Sequence, residues 1–271
     1  MAEPPRWVVR DADSEMVLFP TIHVLPDDLN WTSDAMLERL AQAEEVWFEI
    51  DLAEAQSPEL QQIVMQRGLD ASRPLTETLG EDLYQRFLRL AESLGIPAAQ
   101  LEPMRPWLAS LTLSSVALAN AGFSADAGVE AKLRQHLDAQ RLRALETPAE
   151  QIAALADLPE QVQVAMLESA LGEIEAFAKE MRTLAQDWSR GNIDGMETLL
   201  VEEMATEYPE LYDAVFRQRN LRWVEIIEAE LNGAGTDFIA VGAGHLVGDD
   251  SVIQLLRARG WTVERVTGDD S

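Results

Sequence analysis

Apolar positions fall into two patterns along the chain. Short β-rich runs occur at Trp7 to Val9, Met16 to Phe19, Val46 to Ile50, Leu142 to Leu145, Phe238 to Val241 and Trp261 to Val266, each of strand length and bounded by polar residues. The intervening chain reads as helix. Leu83, Phe87, Leu90 and Leu94 recur at three- and four-residue steps between Gly80 and Gly95, which predicts one amphipathic helix with glycine at both ends. A second helical block runs from Pro159 to about Trp188 through Val162, Met166, Phe177, Met181 and Leu184. A third runs from Pro209 to about Leu231 through Leu211, Val215, Trp223, Ile226 and Ile227. From Pro106 to Ala125 there is no charge, long enough to raise a transmembrane helix. Ser110, Thr112, Ser114, Ser115, Asn120 and Gly122 make the stretch too polar, so it is expected to be a buried core helix.

Strands at both ends, one near the middle and no repeat of fixed period predict an α+β fold. A central β-sheet brings the N- and C-terminal strands together, and long helices cover it. The chain is expected to form a single domain over 1–271, mainly helical from about 53 to 235, with a central strand near 142–146. Such closure places His23, just past the second strand run, beside His245, just past Phe238 to Val241. A side chain at a strand's C-terminal end is held by the sheet and faces a crevice, where α/β proteins commonly place ligands.

Charge narrows the partners. The 271 residues include 48 acidic and 21 basic side chains, a formal net charge of −27, which argues against nucleic acid and anionic membrane surfaces. There is no cysteine, so neither a disulfide framework nor a thiolate metal site can form. The opening Met1-Ala2-Glu3-Pro4-Pro5 reads as a mature start after signal cleavage, which leads to an expected exported origin.

Two further strand runs end on acids, Glu49 and Glu146. If the sheet aligns these ends, His23, Glu49, Glu146 and His245 meet on one rim. Two imidazoles with one or two carboxylates form a first shell for zinc, manganese or cobalt, and a spare carboxylate can act as general base. Arg219, a polar residue in an otherwise apolar helical stripe, is a candidate to anchor a substrate carboxylate, stabilise developing negative charge or orient Glu49. His136 lies among polar helix residues and is expected at the surface. The run Gly242-Ala243-Gly244-His245-Leu246-Val247-Gly248 has the wrong spacing for a dinucleotide-binding turn and is followed by Asp249 and Asp250, where pyrophosphate would have to sit. H-E-x-x-H, G-x-S-x-G and P-loop signatures are missing.

These residues resemble the TraB/GumN family, which includes the Tiki proteins. Gly242 to His245, with the trailing Leu255-Leu256-Arg257-Ala258-Arg259-Gly260-Trp261-Thr262-Val263, resembles that family's second GxxH motif. Pro20-Thr21-Ile22-His23 resembles the first, with proline in place of the motif's glycine. Glu49, Arg105-Pro106-Trp107-Leu108, Gly128-Val129-Glu130, Leu145-Glu146-Thr147 with Gln151, and Arg219-Asn220 follow in family order, with Glu130 standing where aspartate is commoner. The resemblance implies a fold of the kind shared with erythromycin esterases and haem-binding ChaN proteins. It also implies divalent-metal-dependent peptide hydrolysis with manganese or cobalt favoured, His23, His245 and Glu49 as candidate ligands, and a bacterial exported, periplasmic location. Two other outcomes stay open: a non-catalytic protein binding peptide, haem or metal, and an esterase-like hydrolase using histidine and glutamate without metal. Oligomeric state, substrate and the effect of Pro20 are left undetermined by the sequence.

Overall fold

The computed structural model describes residues 3–266 apart from 52, 55, 56 and 173. Eight strands are present among the described residues: β1 Arg6–Arg10, β2 Ser14–Thr21, β3 Leu25–Pro26, β4 Glu45–Phe48, β5 Phe123–Ser124, β6 Leu142–Ala144, β7 Gly235–Gly242 and β8 Val263–Val266. Six of them form one mixed sheet in the order β6-β4-β7-β2-β1-β8, and β3 pairs with β5 in a small separate ribbon. The fold is α+β, with strands from both ends of the chain adjacent.

The β1–β2 hairpin begins the sheet. Asp11 closes its turn, its Oδ1 accepting from the Asp13 and Ser14 backbone N–H groups and from the Ser14 hydroxyl. β2 then pairs in parallel with β7 from Ser14↔Gly235 to Thr21↔Gly242, a long-range contact that local periodicity cannot encode. β4 pairs in parallel with β7 on one side and with β6 on the other. The C-terminal ends of β2, β4, β6 and β7 therefore lie along one edge. Pro20 continues β2 opposite Val241, beyond the last β1 pair at Trp7↔Leu18. Past that point the β1 flank of β2 is unpaired, where a residue without an N–H fits a strand.

Buried side chains form two groups. The larger packs both faces of the sheet with Phe19, Trp31, Trp188, Trp223, Phe238 and their neighbours. The smaller lies wholly among helices, with Leu75, Phe87, Leu101, Leu113 and Leu167 at its centre. The uncharged segment is a helix only over Pro106–Asn120, turning one face into the smaller group and leaving Leu111 exposed. No helix among the described residues is long and apolar enough to cross a membrane.

The expected block from Pro159 to Trp188 is two helices, Glu160–Ala170 and Ile174–Ser189. The first ends at its capping residue Leu171, whose N–H donates to the Leu167 and Glu168 carbonyls. The block from Pro209 to Leu231 is helical throughout but widens to a π-helical turn at Asp213–Arg217 before continuing as Gln218–Leu231. That widened turn lies immediately before Arg219 and Asn220, and such turns often occur at functional sites.

Candidate functional site

The four parallel strands deliver their following residues to one place. Glu49 comes directly after β4, and Glu146 follows β6, with the ladder continued by the Glu146 N–H donating to the Glu49 carbonyl at 2.9 Å. His245 sits on the single 3-10 turn Ala243–His245 after β7, and His23 two residues beyond β2. A Cβ built on Gly242 would lie 3.0 Å from Glu49 Oε1, 3.6 Å from His23 Nε2 and 3.6 Å from the His245 ring. The two histidines do share one rim, and the absent side chain at Gly242 keeps the space between them open.

Arg219 is the hub behind that rim. Its Nε donates to both Glu146 oxygens at 3.0 and 3.1 Å, and its Nη2 donates at 2.6 Å to Glu49 Oε2 and at 2.6 Å to Glu146 Oε1. Nη1 donates to the Val215 carbonyl at 2.9 Å and meets His245 Nε2 at 3.1 Å. A guanidinium has five N–H donors, and these contacts use all of them. The guanidinium also lies over Trp223, 4.7 Å from the ring centre.

The hydrogen bonds fix the His245 tautomer. The Asn220 amide nitrogen donates to the Asp250 carbonyl at 2.9 Å, so its oxygen faces His245 Nδ1 at 2.6 Å. Nδ1 therefore carries the proton, and Nε2 accepts from Arg219. Phe216 and Trp223 enclose the ring at 5.0 and 4.3 Å between centres. Burial pushes the imidazole pKa down to about 3, Glu49 opposing and Arg219 adding to that shift, so His245 is neutral at pH 7. Gly244 belongs to this packing, because a Cβ there would stand 2.5 Å from the Phe216 ring.

Glu49 accepts the Gly242 backbone N–H on Oε1 at 2.7 Å and the Gln151 amide on Oε2 at 3.0 Å. Gln151 is positioned by the helix Pro148–Ala156, which starts with a capping box between Thr147 and Glu150. Burial alone would raise the Glu49 pKa, yet its neighbours hold it down at about 2. His245 helps only when protonated, below about pH 3, so at neutral pH the holding charges are Arg219 and His23. Burial raises the Glu146 pKa despite its bonds to Arg219.

His23 differs from the other four. Its side chain is 63% exposed, and its Nδ1 lies 2.8 Å from Glu130. Glu130 is carried by the helix Val129–Arg134, which is pressed against the turn after β2: the Val129 N–H donates to the Ile22 carbonyl, and a Cβ on Gly128 would stand 2.0 Å from the His23 carbonyl oxygen. The Glu130 carboxylate raises the His23 pKa to about 9, against the smaller effects of burial and Arg219 and with help from Glu49. His23, Glu49, Glu130 and Gln151 line a cleft of about 800 Å³ that also reaches Lys132 and Arg134. His136 is exposed and lies outside it.

The expected metal shell of His23, His245 and Glu49 does not fit this donor geometry. His245 has its proton on Nδ1 and its only lone pair turned to Arg219, and Glu49 divides its oxygens between Arg219, Gln151 and Gly242. The Arg219 guanidinium sets a fixed positive charge against two of the three expected ligands, Glu49 and His245. Among the described residues no group of three or more histidines and carboxylates is arranged to hold a metal. Arg219 likewise has no N–H left for a substrate, and Glu146 lies behind it, outside the cleft.

Glu130 and Asn220 have structural partners at the site that the sequence left unassigned. Both fall inside motifs that were read, Gly128-Val129-Glu130 and Arg219-Asn220, but only the folded chain shows which histidine each one grips.

A mixed sheet with four parallel strand ends converging on paired histidines and a buried arginine–carboxylate cluster defines an α+β protein with a hydrolase-like or binding site. The chain belongs to the TraB/PrgY/gumN family, whose sequence model matches residues 5–265, nearly its whole length. No curated protein and no solved structure matches it.

Proposed function

We propose that this protein is a hydrolase of peptide or peptide-like amide and ester bonds in which His23 moves the proton. The observation that carries this is the exposed His23 ring, tied to Glu130 through Nδ1 at 2.8 Å, with Nε2 turned toward Gly242 and Glu49 at the cleft. Once it has lost the proton that Glu130 holds on it to about pH 9, an imidazole oriented by a carboxylate through one nitrogen and open at the other is a general base. Water attacks the substrate carbonyl carbon while Nε2 takes its proton. The resulting imidazolium, stabilised by Glu130, then returns that proton to the leaving amine or alcohol as the tetrahedral intermediate collapses.

Arg219 and Glu146 act as positioning residues. They lock Glu49 and His245 into one arrangement, so the cleft wall needs no reorganisation during reaction. Relative to the metal-dependent peptidase expected above, the substrate class is retained and the divalent ion is replaced by the chain's own proton-transfer pair. We carry the exported, periplasmic location as part of the same proposal, tested by fractionation of cells carrying the native gene.

The test is hydrolysis of a mixed fluorogenic peptide pool and of p-nitrophenyl esters by wild type and His23→Gln, with and without exhaustive chelation. Loss of turnover in the variant with wild-type activity intact after chelation is expected. Full activity in His23→Gln overturns the assignment. Activity lost on chelation and restored by manganese, cobalt or zinc returns the metal-dependent alternative.

A further inference from the structure

The cleft contains two basic side chains that the hydrolytic step does not use. Lys132 and Arg134 both line it, and both come from the short helix that carries Glu130. The chain has only two lysines, and one of them is here. Many of the other arginines are held by carboxylates, as Arg67 is by Asp157, Arg73 by Glu160, Arg86 by Glu168, Arg143 by Glu45 and Arg259 by Glu228, and Arg141, Arg257 and Arg265 donate to backbone carbonyls. Arg134 is in neither group: its Nη1 is buried with no hydrogen-bond partner. The residue is only half-buried at the cleft wall and no carboxylate pairs with its guanidinium among the described residues, so the solvent-facing part of that fork is free for an acceptor from outside.

The acids nearby do not fill that role. Glu130 is engaged by His23, and Glu49 by Arg219 and Gly242. Asp126 also lines the cleft, but it is exposed to solvent and makes no ion pair among the described residues. In a protein of net charge −27, a cleft with two basic side chains that have no ion-pair partner among the described residues favours an anion that the rest of the surface repels.

We infer that Lys132 and Arg134 form an anion subsite that receives the carboxylate of a short peptide, so that cleavage falls close to its C-terminus. Arg134 is four residues beyond Glu130, on the same helix face and about 6 Å further along the axis. An extended peptide advances about 3.4 Å per residue, so the carboxylate sits about two residues from the bond facing His23. This rests on the hydrolase assignment for the bond broken, but the subsite itself is a matter of binding and can be tested without turnover.

The experiment compares pools of N-acetylated tripeptides ending in a free carboxylate with the same pools ending in an amide, by isothermal titration and by cleavage. Wild type is expected to bind the acids about tenfold more tightly. The preference is expected to vanish in the Lys132→Gln/Arg134→Gln double variant and to persist in His23→Gln. Equal binding of acids and amides, a preference unchanged in the double variant, or no saturable binding of the acids overturns the subsite. Inorganic phosphate is titrated in parallel, and phosphate bound more tightly than the peptide acids overturns the carboxylate assignment. Carboxylate preference without cleavage defeats the hydrolase assignment alone; cleavage of acids and amides with equal KM defeats the subsite alone.

Discussion

Replacing Arg219 by leucine removes the one cation between two buried carboxylates. Arg219, Glu49 and Glu146 are all nearly excluded from solvent, and both ion pairs are 2.6 Å long. Leucine fills part of the space but satisfies none of the acceptors on Glu49, Glu146, Val215 and His245. Breaking a buried ion pair from one side costs about 3–5 kcal/mol, because the remaining charge is left uncompensated.

The pH dependence gives a sharper signature than the size of the loss. In the wild type the Glu49 pKa is lowered from 4.5 to about 2, a stabilising contribution that is present above pH 4.5 and lost as pH falls toward 2. Without Arg219 the Glu146 pKa, already raised by burial, goes up further, and Glu49 keeps only His23 and the Gly242 N–H against its burial, so both folded values lie above the unfolded ones. Each then favours folding only while protonated, so the variant loses stability as pH rises from 4 to 7, by up to about 1.4 kcal/mol per pH unit for each group. Denaturant midpoints at pH 4, 5.5 and 7 measure this, with Glu49→Gln/Glu146→Gln/Arg219→Leu as the control in which the slope disappears. A loss under about 1 kcal/mol at pH 7, or a variant less stable at pH 4 than at pH 7, refutes the account of the cluster.

Four other outcomes are expected. Nitrogen-detected NMR of the three imidazoles should show His23 titrating near pH 9 and His245 still neutral, with its proton on Nδ1, down to about pH 4; Asn220→Leu should lose that fixed tautomer and about 1–3 kcal/mol for the unpartnered Nδ1–H. Hydrolysis should rise tenfold per pH unit toward about 9 as His23 deprotonates, and Glu130→Gln should move that limb toward the ordinary histidine value of about 6.5; an unmoved limb removes His23 as the base. Stability has its own pH window from the same groups: the raised His23 pKa contributes below 6.5 and is lost as pH rises through 9, while the lowered His245 pKa makes stability fall as pH drops from 6.5 toward 3, so thermal midpoints should peak near pH 6.5. Gly242→Ala places a methyl 3.0 Å from Glu49 Oε1 and 3.6 Å from His23 Nε2 and should reduce turnover more than tenfold at a cost of about 1–3 kcal/mol, whereas Gly128→Ala, facing a backbone oxygen at 2.0 Å, should cost more than that range, which is typical of overpacking.

Much of the frame is written locally. The strand runs, the helix between Gly80 and Gly95 and the position of His23, Glu49, Glu146 and His245 just past strand ends all follow from side-chain period and breaker residues, which act over a few positions. The expectation that these ends converge came from strands at both ends of the chain sharing one sheet, and the family resemblance added the order of the motifs along the chain. The break at Gly172 and the π-helical turn before Arg219 were not visible in the apolar stripe, because a stripe continues across a cap or a one-residue widening with little change of phase.

The chemistry of the rim was decided by tertiary contact. The sequence by itself determined that two histidines, two glutamates and an arginine would be available at or near one sheet edge. It did not determine that Arg219 would spend all five donors on Glu49, Glu146, His245 and Val215, since a guanidinium's partners are set by which carboxylates lie within 3 Å after folding. Nor did it show that the two histidines would carry opposite shifts. His245 is enclosed by Phe216 and Trp223 and stays neutral, while His23, exposed beside Glu130, holds its proton to about pH 9. Burial and charge proximity are properties of packed neighbours from distant segments, and they made two matching motif residues unlike, one enclosed and neutral, the other exposed and paired with a carboxylate.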